Sequence, residues 1–435
     1  MSVWAKTLQG MVLFVMLLGC SATGQAAAAA VPSASELVLT ASLASLASYN
    51  DELNLLVRSY MSQAGWQIRS FEHDAGRAEG RLHLFSRPQA YLLAFPGTER
   101  KADAIVDLQI RRVPFGGRTV EEFAQVASGE ADGTKPLVHQ GFDVYTRAAL
   151  FTEKLADRQN MTLGEVIAAH LRAHPEHVLY LTGHSLGGAA ATLAAARLAD
   201  MGVPARQLQV ITFGAPAVGN EAFAQAYAPR MQLTRYAMDF DPVHTVLQSV
   251  NRGFVQFGQR VAWQKDAKTD RFPHDMTGYL DQALRHYYAD DQRTSLLLAG
   301  TPERTGGILT APVAFSLPRD LQVDQHDMQL VVHDALTRAY ADVQSAESDS
   351  LPQLTAQAGR MGCAYILQQH YTAARLRQSK EVQYRITLEE TLHDQAGNVL
   401  TLQQLSTTTH SMTPLEAVVY LQEQAKEQRH NFLQP

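Results

Sequence analysis

The chain has 435 residues, 46% of them hydrophobic, and a formal net charge of −6. That length exceeds a usual single domain and supplies ample apolar content for a sizeable core. The acidic balance argues against a nucleic-acid partner, which would favour a basic surface stripe.

The first residues carry Lys6, then an uncharged apolar run from Met11 to Leu18, then small residues. This is the layout of a secretory signal and is too short for a membrane span. Leu17-Leu18-Gly19-Cys20 closes the run and resembles the bacterial lipobox. The resemblance implies a signal peptide over 1–19 and diacylation of Cys20 as the first mature residue. It further implies an exported protein of the cell envelope, anchored to the outer membrane, and Ser21 fits that sorting. Cys363 then has no partner, no intramolecular disulfide forms, and the residue reads as a buried small apolar side chain. The alternative is cleavage within Ala26–Ala30, giving a periplasmic or secreted product.

Residues 20–35 read as an Ala- and Ser-rich tether that passes into a helix continuing through Leu56 and Tyr60. Tyr91–Phe95 is a short apolar strand stopped by Pro96-Gly97-Thr98, and Val178–Leu181 and Val210–Phe213 are similar strands. Helix-period stretches occupy Leu163–Ala173 and Ala189–Met201. Buried strands separated by helices predict an α/β domain over 36–298 with a mostly parallel sheet. Residues 299–312, with Gly-Thr-Pro-Glu-Arg-Thr-Gly-Gly, read as a linker. Over 313–435 a helix at Met328–Tyr340, strands at Ala364–Tyr371, Val382–Leu392 and Val399–Thr407, and a closing helix at Leu415–Gln428 predict a smaller α+β domain. It shows no repeat and no catalytic motif, and faintly resembles small domains of envelope lipoproteins.

The chemistry concentrates at Thr182-Gly-His-Ser185-Leu-Gly-Gly, an apolar strand ending in Gly-x-Ser-x-Gly with an alanine-rich helix following at once. A sharp strand-to-helix turn lifts a serine hydroxyl clear of the backbone, so Ser185 is the candidate nucleophile. Such a serine needs a base, and an acid to hold that base in the right tautomer. Asp241, in Met-Asp-Phe-Asp-Pro-Val-His, is the preferred acid; Asp239 lies two positions away, and spacing alone does not separate them. For the base, His244 is too close to Asp241 in sequence and His286 reads as a helical histidine. His274, just after a proline and just before a helix, stands where a loop-borne base would be placed. The backbone N–H of Leu186 and that of Thr98, which also offers a hydroxyl, are the expected oxyanion donors. No metal and no organic cofactor is expected.

These separated motifs resemble the class 3 lipases, the fungal-lipase-like branch of the α/β-hydrolases, over roughly Ser48–Leu284. Besides the Ser185 turn, the likeness rests on Val138-His-Gln-Gly-Phe142, Thr212-Phe-Gly-Ala-Pro-Ala-Val-Gly-Asn220, Asp241-Pro-Val and His274-x-Met-x-x-Tyr279. Pro96 replaces the arginine usual in the family's oxyanion turn. Asp103–Leu108 fills the place of the family's lid without its tryptophan, and Arg111–Lys135, with Gly116, Gly117 and Gly129, suggests a mobile loop. The resemblance implies an α/β-hydrolase fold and a serine carboxylic-ester hydrolase of triacylglycerol-lipase type, acting on lipid or other esters at a membrane surface. Phospholipase A1 or short-chain esterase activity would use the same triad. A third reading is a non-catalytic envelope lipoprotein scaffold whose C-terminal module docks an envelope protein.

Overall fold

The computed structural model describes residues 31–49, 52–74, 79–88, 90–97, 111–155, 158, 160–243, 253–264, 273–377 and 382–433. Cys20, Thr98, the lid segment 103–108 and His244 lie outside these residues. Among the described residues, those within 33–66, 236–243 and 260–433 form one compact unit, and those within 67–235 and 253–259 form the other. The units are therefore discontinuous in sequence, and the continuous division into 36–298 and 313–435 does not match them.

In chain order the first elements are helices α1 (Ala34–Leu46) and α2 (Glu52–Gln63). The Ala/Ser composition read as a tether up to residue 35 instead begins a helix at Ala34, capped by the Ser33 hydroxyl. Val38 through Leu46 are all buried. Small side chains permit close packing, and the hydroxyls of Thr40 and Ser42 return to the helix's own carbonyls at 2.8 and 2.9 Å, so burial leaves them satisfied.

The unit beginning at Gln67 opens with a hairpin, β1 (Gln67–Asp74) and β2 (Glu79–Arg87), which pairs antiparallel with β3 (Ala90–Phe95). There follow β4 (Arg112–Pro114), α3 (Val120–Ala127), β5 (Leu137–His139), α4 (Gln140–Phe151), α5 (Leu163–Ala173), β6 (Val178–His184), α6 (Leu186–Asp200), β7 (Leu208–Phe213) and α7 (Glu221–Tyr227). Strands β3, β6 and β7 are parallel, and their register sets Phe95 beside Gly183 and Gly183 beside Thr212. The carboxyl ends of three strands thus lie level, the edge at which open α/β sheets present their sites. The segment 111–135, expected to be a mobile loop, contains β4 and α3 and buries Phe115 and Phe123. Those two rings flank Arg197, whose guanidinium carbon lies 3.7 and 4.3 Å from their centroids.

Arg197, on α6, is fully buried. It donates to Asp143 of α4 at 2.7 Å and to the Gly116 carbonyl at 2.6 Å, while Arg147 donates to the other Asp143 oxygen at 2.8 Å. Burial pulls the Arg197 pKa down and Asp143 opposes that pull. This pair fastens the helix behind Ser185 to its neighbour.

Strand β8 (Gln232–Met238) carries the chain from this unit into the other, where β9 (Gln259–Trp263) and α8 (Met276–Ala289) follow. Beyond them lie β10 (Ile308–Thr310), β11 (Ala314–Ser316), α9 (Gln325–Ala339), β12 (Val343–Ser345), α10 (Leu351–Met361), β13 (Tyr365–Arg375), β14 (Tyr384–Asp394), β15 (Val399–Thr408) and α11 (Pro414–Arg429). The sheet runs β12-β10-β13-β14-β15, with β11 also paired to β13. Ile308–Thr310, assigned above to a linker, is therefore a fully buried strand of this sheet. Glu390 of β14 is buried with Arg429 of α11, and accepts the amides of Gln369 and Gln403 at 2.6 Å each. Cys363 is buried and has no disulfide partner among the described residues.

Removing one partner of a buried ion pair leaves an uncompensated charge and costs about 3–5 kcal/mol. Asp143→Ala is expected to lose that much stability in urea unfolding, and a midpoint like wild type would refute the role given to the pair.

Candidate active site

In the first-described sheet, Ser185 follows β6 and precedes α6 with φ 56° and ψ −122°, a left-handed conformation unusual for any residue but glycine. Its N–H donates to the Phe213 carbonyl at 2.9 Å, and its own carbonyl accepts from Gly188 and Ala189 at 3.0 and 3.2 Å. The strained residue is thus held by β7 on one side and the first helical turn on the other. Two missing side chains make the turn possible. A Cβ on Gly183 would stand 2.3 Å from the Gly187 carbonyl carbon, and one on Gly187 would stand 2.0 Å from the Phe95 oxygen. Leu186 is the first residue of α6, so its N–H belongs to the turn where helix donors have no intrahelical acceptor. The end of β3 is pressed against this turn, and Pro96 is fixed there by Tyr145, whose hydroxyl lies 3.3 Å from its carbonyl.

Two of the sequence motifs turn out to brace each other. The His139 N–H donates to the Val218 carbonyl at 3.0 Å, and the Asn220 side chain accepts from the Leu137 N–H at 3.0 Å and donates to the Lys135 carbonyl at 2.9 Å. Asn220 also caps α7 by accepting from Phe223 N–H. His139 caps α4 through Nδ1, and burial pushes its pKa down to about 4, so the ring stays neutral near pH 7. It is a scaffold histidine.

In the other unit, His274 Nδ1 lies 3.0 and 2.9 Å from the two oxygens of Asp241. A carboxylate oxygen accepts, so the assigned tautomer carries its hydrogen on Nδ1, and Nε2 holds the lone pair a base requires. Asp241 is 1% exposed. It also accepts from the Tyr279 hydroxyl at 2.8 Å and from the Val243 N–H at 2.9 Å. Tyr279 accepts in turn from the Met238 N–H at 3.0 Å. Burial, then the neighbouring Asp241, raises the Tyr279 pKa well above its ordinary value, which keeps the phenol protonated as a donor. Phe240, with φ 66°, supplies the left-handed step that swings Asp241 out of line with β8.

Among the sequence candidates, the structure joins His274 to Asp241. Asp239 instead donates its backbone N–H to the Trp263 carbonyl at 2.8 Å, and the His286 ring stacks on Trp263 at 5.3 Å. The contribution of Tyr279 was not foreseen from sequence, although its place five residues after His274, one turn into α8, was visible in the motif.

Residues 92–250 match the family model described as Lipase (class 3). Phospholipase A1-II 3 of Oryza sativa subsp. indica is 31% identical over 172 residues, covering 36% of this chain and 39% of that protein. Lipase A of Sodiomyces alcalophilus is 31% identical over 159 residues, covering 34% and 33% respectively. Toxin TseL of Vibrio cholerae is 36% identical over 104 residues, 24% of this chain and 14% of that one. The chain thus spans about two fifths or less of the length of these curated relatives. A lipase from Rhizopus microsporus var. chinensis, 21% identical, aligns with a TM-score of 0.40 over 57% of this chain and 79% of its own.

Gly187→Ala tests the turn directly. The added methyl must displace Ser185 or the end of β3, and a 1 Å misplacement is worth about 100-fold in reactivity. The rate of Ser185 modification by a fluorophosphonate is expected to fall by at least that factor, and an unchanged rate would show that the close approach is not needed.

Proposed function

We propose, for a chain whose residues 92–250 match the family model described as Lipase (class 3), that the protein is a serine carboxylic-ester hydrolase acting on lipid esters through an acyl-enzyme. The single observation that carries this reading is the strained backbone of Ser185 at the strand-to-helix turn. A residue is held at positive φ against its own preference where the exposure of its hydroxyl matters.

In the proposed cycle, Ser185 Oγ bonds to the ester carbonyl carbon while His274 Nε2 takes the hydroxyl proton. The carbonyl oxygen becomes an oxyanion held by the N–H groups of Leu186 and Thr98. Collapse expels the alcohol, which takes the proton from His274. Water, deprotonated by His274, then bonds to the acyl carbon, and the Oγ–carbon bond breaks as His274 returns the proton to Oγ, releasing the carboxylic acid and restoring Ser185. Asp241 stabilises the imidazolium, with Tyr279 and Val243 fixing the carboxylate. Supporting His274 and Asp241 in these roles are their mutual hydrogen bonds of 2.9 and 3.0 Å.

The relatives named phospholipase A1 keep sn-1 hydrolysis of phospholipids as the second reading beside triacylglycerol hydrolysis. Export with a lipid anchor at Cys20 would hold the enzyme at a membrane surface where both substrates lie. Labelling by palmitate that disappears in Cys20→Ala tests this, and an unlabelled wild type would refute the anchor.

Ser185→Ala and His274→Gln are expected to lower ester turnover by on the order of 10⁴ to 10⁶. Asp241→Asn should lose about 10⁴, while Asp239→Asn stays close to wild type. Tyr279→Phe should keep the triad and cost about tenfold, as expected for loss of one hydrogen bond to a charged group. Turnover on p-nitrophenyl esters, triacylglycerol emulsions and phospholipid vesicles measures all five variants and separates the two substrate readings. Near-wild-type turnover in Ser185→Ala would sink the mechanism and leave the scaffold reading.

A further inference from the structure

The sequence His170-Leu-Arg-Ala-His174-Pro-Glu-His177 runs from the last turn of α5 to the start of β6. The i, i+4 spacing puts His170 and His174 on one helix face, and the expectation of no metal leaves that spacing out of account. The chain reverses at once after the helix, since His177 N–H donates to the His174 carbonyl at 3.0 Å. The three rings gather, with centroids 4.4 Å apart for His170 and His174 and 4.9 Å for His174 and His177.

We propose that His174, Glu176 and His177 form a binding site for one divalent transition-metal ion of the zinc class, with His170 as the residue that orients His177. One ligand atom from each of the three lies within 4.8 Å of the others. More tellingly, a single carboxylate oxygen of Glu176 stands 3.4 Å from His174 Nδ1 and 3.5 Å from His177 Nε2. Ligands bound tetrahedrally at about 2.0–2.1 Å are separated from one another by about 3.4 Å. Those two separations already match edges of such a tetrahedron, and the three ligand atoms all lie within 4.8 Å of one another.

The surroundings are those of a prepared site. His177 uses Nε2 toward Glu176, and its Nδ1 lies 2.9 Å from His170 Nε2. In the tautomer that ligation requires, His177 Nδ1–H donates to His170, the outer partner by which metal-binding imidazoles are held in place. Tyr91 packs edge-on against His170 with centroids 5.1 Å apart. The backbone of the turn is fixed by the buried Gln207, whose amide nitrogen lies 2.8, 2.8 and 2.9 Å from the carbonyls of Leu171, His174 and His177. The His177 side chain is 14% exposed while those of His174 and Glu176 are 40% and 59% exposed. The ion would thus enter from solvent and keep a water or another ligand in its fourth position. Imidazole and carboxylate donors without thiolate suit zinc, cobalt, nickel or copper rather than calcium or magnesium. Bound there, the ion would tie the end of α5 to the beginning of β6.

The test uses the full chain without a histidine tag, stripped with EDTA. Titration with Co²⁺, followed by its visible absorption, and with Zn²⁺ by calorimetry is expected to show one equivalent bound, with zinc displacing cobalt and raising the unfolding temperature. His174→Gln and His177→Gln together should abolish binding and the thermal shift while the circular dichroism stays that of wild type. His170→Gln should retain the stoichiometry and weaken affinity by about 10- to 100-fold. Ser185→Ala should bind metal as wild type does, which keeps this site distinct from ester hydrolysis. No stoichiometric binding by the wild type, or equal binding by the double variant, would overturn the proposal.

Discussion

Everything near Ser185 depends on two side chains that are absent. Gly183 and Gly187 let β6, α6 and the end of β3 meet at distances that no Cβ would survive. The turn could otherwise close only by pushing the helix away from the sheet, and the serine would lose its place at the strand ends. The alanines of α6 extend the same logic, since Ala189 through Ala191 and Ala194 through Ala196 are fully buried against the sheet. A helix of larger residues could not lie so close to β6 and β7. The positive φ of Ser185 is the strain that remains once the glycines have removed the collisions, and hydrogen bonds to Phe213, Gly188 and Ala189 hold it.

Three buried carboxylates show how the same group is put to different uses by its partners. Asp143 faces Arg147 and Arg197, and Glu390 faces Arg429 with two amides. Guanidinium groups are permanently charged, so both arrangements are closed electrostatically and read as structural. Asp241 is equally buried, yet its partners include a phenol, a backbone N–H and an imidazole. Of these only the imidazole has a second nitrogen able to take up a proton, and the cation so formed would lie against a carboxylate already oriented to receive it. That asymmetry separates a carboxylate suited to a reaction from one suited to holding helices together.

The parts of the fold set by local pattern were legible from the sequence. Helix Leu163–Ala173 was readable to the residue from its helix-period pattern, and in the structure Thr162 and Glu165 form a capping box at its start. Strands β3, β6 and β7 announced themselves as short apolar runs. The hairpin β1–β2 did not, because polar residues such as Arg69, Glu72, Arg81 and His83 are interleaved along it without a long apolar run. Ala34–Leu46 read in part as a tether because its composition is that of a flexible linker; only tertiary packing tells a buried helix of small residues from a solvated one. The same limit applies to 299–312, where glycine and proline signalled a break and Ile308–Thr310 nevertheless completes a sheet. At the site, residue type and order pointed to Ser185, Asp241 and His274. The Tyr279 hydroxyl was not legible, since its bond to Asp241 spans 38 residues and depends on how α8 returns to β8.

Strand β6 is the element on which these observations converge. Its carboxyl end passes directly into the strained serine, and its seven residues are buried from Leu179 onward. Its amino end leaves the turn that Gln207 clamps through three carbonyls. A strand flanked by parallel neighbours cannot slide by one residue without exchanging its two faces, so fixing both ends also fixes its register. The serine is then positioned from both ends of the strand, by the Gln207 side chain at the Leu171, His174 and His177 carbonyls and by the Phe213 carbonyl at the other end. A shift at the α5–β6 turn would have to be absorbed either by the hydrogen bonds to β3 and β7 or by the φ of Ser185 itself. Both are already committed, which makes that turn a sensitive part of the scaffold even though it contributes no group to the chemistry.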